Sequence, residues 1–312
     1  MPIVENDPWR AQYFTGVRCP DDVVIPTDDP EAYRLYPAHR WVYDKLRICE
    51  TQRLEHGPHG VAPRAFPVFS KPIYNLRGMG VGGRVFRSRA EYDEAQTPGH
   101  LWMPLLTGAH VSTDVALEDG TPKWWRHTVG APLADGMFDY WTVLAEPLPD
   151  LERSAGAWLR AHLRGYSGFV NLETIGGTII EAHLRFADQW VDLYGAGWVE
   201  GVVRLYTRRR WSFVDADRRT GYSVVLFGTH GVSWSVDAAA VERLRRLDGV
   251  SSLQITFHHD RPPDAHAMPP GGFRLAIVNC WDLALGLLVR EQLGLLFRAR
   301  TVRTVDVPAL PA

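Results

Sequence analysis

Apolar positions along the chain follow two periods, one helical and one alternating, and the changes between them fall on Gly, Pro, Asn and Asp. Trp41, Val42, Leu46, Ile48 and Leu54 return on a helical spacing, which predicts a helix carrying Lys45. Pro63 to Pro67 lead into a short apolar strand at Val68-Phe69 that stops at Lys71-Pro72, and a glycine-dense loop follows from Asn75 to Gly83. His100 to Leu106 alternates, as does His110 to Leu117. A turn at Glu118-Asp119-Gly120 then joins the latter to Lys123–Thr128 as a β-hairpin. A helix is expected over 151–163, and Gly168 to Glu173 and Thr178 to Arg185 form a second hairpin across Gly176-Gly177. The last hundred residues run strand 222–227, helix 238–247, strands 252–258 and 273–279, helix 283–297 and strand 301–307, the β-α-β-β-α-β order of a ferredoxin-like unit. Residues 1–40 show no period and read as an arm packed on the body. The fold class is therefore α+β, with mixed α/β content.

Composition narrows the function. With 312 residues, 46% apolar and 22% charged, the chain is long enough for about two domains and has the make-up of an ordinary globular protein. Lys+Arg 34 against Asp+Glu 36 leaves a net charge of -2, which argues against a general binder of nucleic acid or anionic membrane. Cys19, Cys49 and Cys280 stand at unrelated spacings and read as reduced thiols. The opening MPIVENDPWR lacks the basic start and apolar run of a signal peptide, and no apolar run is long enough to span a bilayer. These features point to a cytoplasmic protein acting on small molecules or peptides, without nucleic acid or membrane, with a homodimer as the admitted assembly.

Only three of the 34 basic residues are lysine, namely Lys45, Lys71 and Lys123. Where a positive charge alone suffices this chain uses arginine, so a retained lysine marks a place where a compact ammonium approaches an anion that a flat guanidinium would not fit. Chance survival is the alternative for any one of them. The glycine loop after Lys71 is open to two readings, a backbone cradle for phosphate or a mobile hairpin tip, and it lacks the spacing of a P-loop or dinucleotide motif. In the second hairpin, Asn171 and Glu173 share a face, as do Glu181, His183 and Arg185, and the turn brings these faces together. Two carboxylates with amide and imidazole among apolar neighbours fit a bound cation; an exposed face with a cross-strand Glu/Arg pair is the other reading. If the carboxylates repel each other in the empty site, replacing either by Gln should leave the melting temperature unchanged or raised.

Taken in order over residues 41–200, these pieces resemble the ATP-grasp superfamily. Asp44-Lys45 resembles the aspartate-lysine that opens its first subdomain, and Phe69-Ser70-Lys71-Pro72 with the glycine loop its second lysine strand and lid. Leu101 to Leu106 and Gly108-Ala-His110-Val-Ser-Thr-Asp114 are similar to its hinge and following hairpin. Gly168-Phe-Val-Asn171-Leu-Glu173 and Glu181-Ala-His183-Leu-Arg185 are similar to its metal strands. Met103 or Pro104 stands where the hinge usually offers a carboxylate to the ribose. His183 replaces the usual asparagine, and imidazole suits Mn or Zn better than Mg. The family also carries a full α/β domain ahead of the grasp, where about forty residues stand here.

The resemblance implies a two-lobed fold with an arm over 1–40, a small lobe over 41–104, a large lobe over 105–210 and the C-terminal unit over 211–312. It implies ATP between the lobes, with Lys45, Lys71, Asn75, Gly78, Gly80 and Gly82 on its phosphates and Met103 and His110 beside the nucleotide. Mg2+ or Mn2+ would be held by Glu173, Glu181 and His183. Lys71 and Arg185 would be the catalytic side chains, Arg185 on the γ-phosphoryl group or an acceptor carboxylate. The implied reaction joins a small-molecule or peptide carboxylate to an amine through an acyl phosphate. The alternatives are a kinase that stops at phosphoryl transfer and a non-catalytic nucleotide-binding module.

Three further features receive plain readings. His258-His259 could bind metal, but adjacent strand residues face opposite ways, and the following Arg261 to His266 reads as a solvated turn. The twelve tryptophans, Trp124-Trp125 among them, serve the core. Arg208-Arg209-Arg210 reads as a solvated face or a domain junction.

Overall fold

The computed structural model describes residues 3–4, 8–76, 78–257 and 268–300, with side chains from residue 10 to residue 299. The N-terminal segment contains β1 (Ile3–Val4), α1 (Pro8–Ala11), β2 (Ile25–Pro26) and α2 (Asp29–Leu35). A 3-10 turn at Arg40–Tyr43 leads into α3 (Lys45–Thr51). Next come β3 (Gly57–Pro58), β4 (Val68–Pro72), β5 (Arg84–Phe86), α4 (Arg89–Glu94) and β6 (His100–Pro104). The middle of the chain holds β7 (His110–Glu118), β8 (Thr121–Pro132), β9 (Phe138–Val143), α5 (Pro149–His162), β10 (Gly168–Ile175), β11 (Thr178–His183) and α6 (Trp198–Arg208). The remainder is β12 (Gly221–Gly228), β13 (Ser233–Ser235), α7 (Ala238–Arg245), β14 (Val250–Ile255), β15 (Phe273–Cys280), α8 (Leu283–Leu296) and β16 (Arg298–Arg300).

Two sheets organise these elements. The smaller has the order β3-β6-β4-β5, and the larger runs β11-β10-β7-β8-β9-β12-β15-β14 with every neighbouring pair antiparallel. Both hairpins read from the sequence are present, β7–β8 and β10–β11. The strands β12, β14 and β15 take the relative order of the expected ferredoxin-like unit, but they extend the large sheet, and β9 fills the place of the fourth strand. The segment expected as a strand at 301–307 and the pair His258-His259 lie outside the described residues.

The large sheet is covered on both faces. On one, Val115, Leu117, Val170 and Leu172 pack against Ala155, Trp158 and Leu159 of α5 and against Val42 and Ile48. On the other, Ala116, Trp124 and Phe169 meet Phe186, Trp190, Tyr194 and the apolar side of α6, so Trp124 serves the core as expected. Arg208, Arg209 and Arg210 are exposed at the end of α6. The three cysteines are free. Among the described residues no helix is long and apolar enough to cross a membrane.

The continuous helix expected over 41–54 is divided at Asp44. Its carboxylate accepts from the backbone N–H of Leu46 at 3.0 Å and Arg47 at 3.4 Å, so the residue caps α3 and does not continue a preceding helix. The arm holds two helices that its lack of period does not predict, α1 and α2, the second capped by Asp28 through the Glu31 N–H at 2.8 Å with Pro30 in the first turn. The arm does pack on the body: Tyr13 Oη lies 2.8 Å from Ser252 Oγ, and Phe14 and Ile25 are buried with the α6 cluster.

Candidate active site

Lys45 is the first residue of α3, and Lys71 lies one residue before the end of β4. Helical side chains lean toward the helix N-terminus, so the Asp44 cap aims Lys45 out of the start of α3. On the small sheet Phe69, Lys71, Leu101 and Met103 occupy alternate positions of two paired strands and share a face. That face meets Cys49 of α3 and Ile180 of β11. Both lysines are buried, at 5% and 6% exposure, and they converge on one carboxylate. Glu181 Oε1 is 3.8 Å from Lys45 Nζ and 3.6 Å from Lys71 Nζ, and Lys71 also donates to the Ile180 carbonyl at 2.8 Å. Burial lowers the Lys71 pKa; Glu181 acts in the other direction, and the neighbouring Lys45 adds to the lowering.

Glu181 stands directly opposite Glu173, and His183 opposite Asn171, in the β10–β11 register. The Glu173 carboxylate pairs with His110 Nε2 at 3.1 Å. Burial would raise its pKa, but the bond from His110 and the nearby positive charge, that of Arg185 included, outweigh this and hold it well below the usual carboxylate range. His183 Nδ1 is 3.0 Å from Asp29 Oδ2, and Arg185 Nη2 donates to the same oxygen at 2.9 Å. His183 Nε2 is buried and, among the described residues, has no hydrogen-bond partner; it faces Glu181 Oε2 at 3.7 Å and Glu173 Oε1 at 3.9 Å.

The second hairpin is held in place at its turn and at its outer edge. Gly176, at φ +56°, brings its backbone against the Thr107 carbonyl, where a Cβ would have no room. Gln52, which caps the C-terminus of α3, pairs both ways with Ile179, donating to its carbonyl at 2.8 Å and accepting from its N–H at 2.9 Å.

The structure thus brings Lys45, Lys71, Glu173, Glu181, His183 and Arg185 together at the junction of the two sheets. His110, expected beside the nucleotide by resemblance, sits on Glu173 and packs edge-on against Phe138 and Trp141. Three expectations change. Met103 is 2% exposed among Leu101, Cys49, Phe69 and Ile180, so it offers apolar packing and no open contact for a ribose. The two carboxylates do not simply repel, because Glu173 is paired with His110 and Glu181 with two lysines. Finally, Glu173, Glu181 and His183 do not form a closed cage: among the described residues no three His, Cys, Asp or Glu side chains are arranged to hold a metal ion by themselves. The bare, buried Nε2 of His183 between two carboxylates does fit a cation whose remaining ligands come from elsewhere.

In the loop between β4 and β5 the glycines take the left-handed backbone that either a phosphate cradle or a hairpin tip requires. Gly78, Gly80 and Gly82 have φ of 67°, 65° and 80°, and Asn75 Nδ2 donates to the Gly78 carbonyl at 2.9 Å. Nothing lies within 4 Å of where a Cβ would stand on Gly78 or Gly80, so a ligand has room there.

Sequence reasoning missed Asp29, whose capping signal at Asp28-Asp29-Pro30-Glu31 was readable but whose partners lie far along the chain. It also missed Arg274 of β15, which donates to Gln189 Oε1 at 2.9 Å and touches Met79 Sδ of the lid at 3.5 Å. No local pattern marks such a residue. Asp114 was noted only within a motif. It accepts from Asn171 at 2.7 Å, Tyr194 at 2.7 Å and the Ala187 N–H at 3.0 Å, and burial, partly offset by these donors, raises its pKa to about 6.

No protein-family model matches the sequence, and a search of curated proteins finds no match. Solved structures do match. An L-amino acid ligase from Bacillus licheniformis superposes with a TM-score of 0.58 at 12% identity, over 93% of this chain and 83% of that one. Phosphoribosylamine–glycine ligase from Thermotoga maritima gives 0.60 at 13% identity, over 93% and 86%. The biotin carboxylase domain of 2-oxoglutarate carboxylase from Hydrogenobacter thermophilus, solved with MgADP and bicarbonate, gives 0.55 at 13% identity, over 83% and 66%. With two sheets meeting at a pair of buried lysines and a carboxylate hairpin, the chain has the ATP-grasp fold of these ligases.

Proposed function

We propose that this protein is an ATP-dependent ligase that activates a small-molecule or peptide carboxylate as an acyl phosphate and joins it to an amine. The observation that carries this reading is the convergence of Lys45 and Lys71, from different elements, on Glu181 beside Glu173. Two buried ammonium groups facing one carboxylate leave an excess positive charge, which suits the terminal phosphates of a nucleotide. Lid N–H groups around Gly78 and Gly80 would complete the phosphate contacts.

Mg2+ or Mn2+ held by Glu173 and Glu181, with His183 Nε2 alongside, would neutralise charge on those phosphates. Arg185, anchored by Asp29, would orient the acceptor carboxylate or the γ-phosphoryl group. A carboxylate oxygen then attacks the γ-phosphorus and ADP leaves; the amine attacks the acyl carbon and inorganic phosphate leaves. Such a reaction needs positioning and charge neutralisation more than a general acid or base, in keeping with a site built from lysine, arginine and carboxylates. That the similar solved structures include ligases of amines supports the same reading. Free cysteines suit a reducing, cytoplasmic setting.

The test is to incubate the protein with ATP, Mg2+ or Mn2+ and panels of amino and carboxylic acids, following ADP, phosphate and new amides by mass spectrometry. ADP with phosphate and an amide is the expected result. A stable phosphorylated product would replace the ligase by a kinase, and nucleotide binding without turnover on any panel would leave a binding module.

A further inference from the structure

We propose that Asp29, carried into the site by α2 of the N-terminal segment, is a positioning residue that holds the His183 ring with Nε2 as its bare nitrogen, aimed at the cation position between Glu173 and Glu181. The inference rests on the reading of that cluster as a cation and phosphate site.

Asp29 is 4% exposed, and its partners are mainly donors. Tyr43 Oη donates to Oδ1 at 3.1 Å, and Arg185 Nη2 donates to Oδ2 at 2.9 Å. A carboxylate beside a guanidinium and a phenol is ionised and accepts only, so the His183 nitrogen 3.0 Å from Oδ2 must carry its proton. That assigns the proton to Nδ1. In the neutral ring Nε2 then bears the lone pair.

The other side of the ring agrees. Were Nε2 protonated, the carboxylates of Glu181 and Glu173 would be its natural acceptors, yet they stand at 3.7 Å and 3.9 Å, beyond hydrogen-bond reach. A buried lone pair facing two carboxylates is unfavourable unless a cation lies among them. Tyr43 fixes the backbone next to the ring as well, since its oxygen accepts from the Leu184 N–H at 3.1 Å. One carboxylate from the arm therefore sets both the tautomer of His183 and the place of Arg185. Carboxylate partners of metal-binding histidines act in this way, and losing one typically weakens the metal tenfold to a hundredfold.

Two measurements on the full chain test this. In the first, long-range 1H–15N correlation on histidine-labelled protein, loaded with Mg2+ and a non-hydrolysable ATP analogue, reads the His183 tautomer directly. The expected result is a proton on Nδ1 and none on Nε2; a proton on Nε2 overturns the proposal, and no variant need fold for this result. In the second, Mn2+ is titrated by water-proton relaxation with the same analogue present. Asp29→Ala should weaken Mn2+ on the order of tenfold or more. Asp29→Asn, whose side-chain oxygen still accepts from Nδ1–H, should recover part of the loss. Metal-free binding of the analogue should change much less. A folded Asp29→Ala protein that holds Mn2+ like the parent overturns the role of Asp29 and leaves the ligase reading standing. A parent that binds neither analogue nor Mn2+ overturns both.

Discussion

Replacing Glu181 with Gln removes the carboxylate that Lys45 and Lys71 share, and the structure reverses the sign expected for this change from like-charge repulsion. Glu181 Oε1 lies 3.6 Å and 3.8 Å from the two ammonium nitrogens, which at an effective dielectric of about 20 gives roughly 4–5 kcal/mol of attraction for each. Much of this offsets the cost of burying three charges, so the net loss is smaller. Breaking a buried pair by neutralising one partner typically costs about 3–5 kcal/mol. Two effects limit it here: the Gln oxygen still accepts a hydrogen bond, and Lys71, its pKa already lowered by burial, sheds its proton more readily once Glu181 is neutral. A destabilisation of about 2–3 kcal/mol remains, or roughly 5 °C in melting temperature for a chain of this size. Thermal unfolding without nucleotide measures it. The same change uncovers two lysines for anions, so pyrophosphate without metal should bind several-fold tighter while metal-supported turnover is lost. A Glu181→Gln protein as stable as the parent, or more so, would refute the reasoning, because Glu181 would then not be paired with the lysines.

Lys71→Arg should lower ATP turnover about tenfold or more, because a buried ammonium that reaches the Ile180 carbonyl leaves no room for a wider guanidinium, whereas Lys123→Arg, 41% exposed beside Glu118, should change it less than about twofold. Equal behaviour of the two variants would remove the argument from lysine scarcity. Amide exchange across residues 75–83 should slow on adding ATP and metal, since the glycine-rich lid gains contacts there; an unchanged rate would exclude a phosphate role. Because burial raises Asp114 to a pKa of about 6, its contribution to stability is complete below the unfolded value near 4 and is lost as pH rises through about 6. The stability difference between the parent and Asp114→Asn should therefore shrink by about 2–3 kcal/mol between roughly pH 4 and 7, and a flat difference would disprove the shift. With imidazole in the site, Mn2+ should support turnover at least as well as Mg2+, and a clear preference for Mg2+ would place His183 outside the cation's reach.

What could be read from the sequence was what local pattern encodes. Alternation put Asn171 and Glu173 on one face of β10, and Glu181 and His183 on one face of β11, but regular pairing out of the Gly176-Gly177 turn would set Glu173 opposite Ile180; a bulge shifts the register by one residue so that Glu173 meets Glu181, and no sequence signal announced it. The skew toward arginine singled out Lys45 and Lys71 for a physical reason, the difference in shape between ammonium and guanidinium. What could not be read was long-range. Asp29 meets His183 and Arg185 more than 150 positions away, and nothing in the spacing of the arm points to them. The pairing of β9 with β12, which fuses the C-terminal strands to the large sheet, likewise joins segments with unremarkable sequences. Near Asp44 the local pattern itself misled, because helical spacing on both sides masked an aspartate that caps one helix and stops another.

Strand β11 closes one end of the eight-stranded sheet, and its outer backbone is covered by side chains alone: Gln52 on Ile179 and Lys71 on the Ile180 carbonyl. These same contacts bridge the small sheet and α3 to the large one, so the proposed slot for phosphates and the edge of the sheet occupy one place. An opening that parted the two sheets there would break them and unmask a strand able to pair with a second chain. On the proposed reading, occupancy of the slot would guard solubility, and a preparation stripped of nucleotide should precipitate sooner on warming than one kept saturated, at equal concentration and salt.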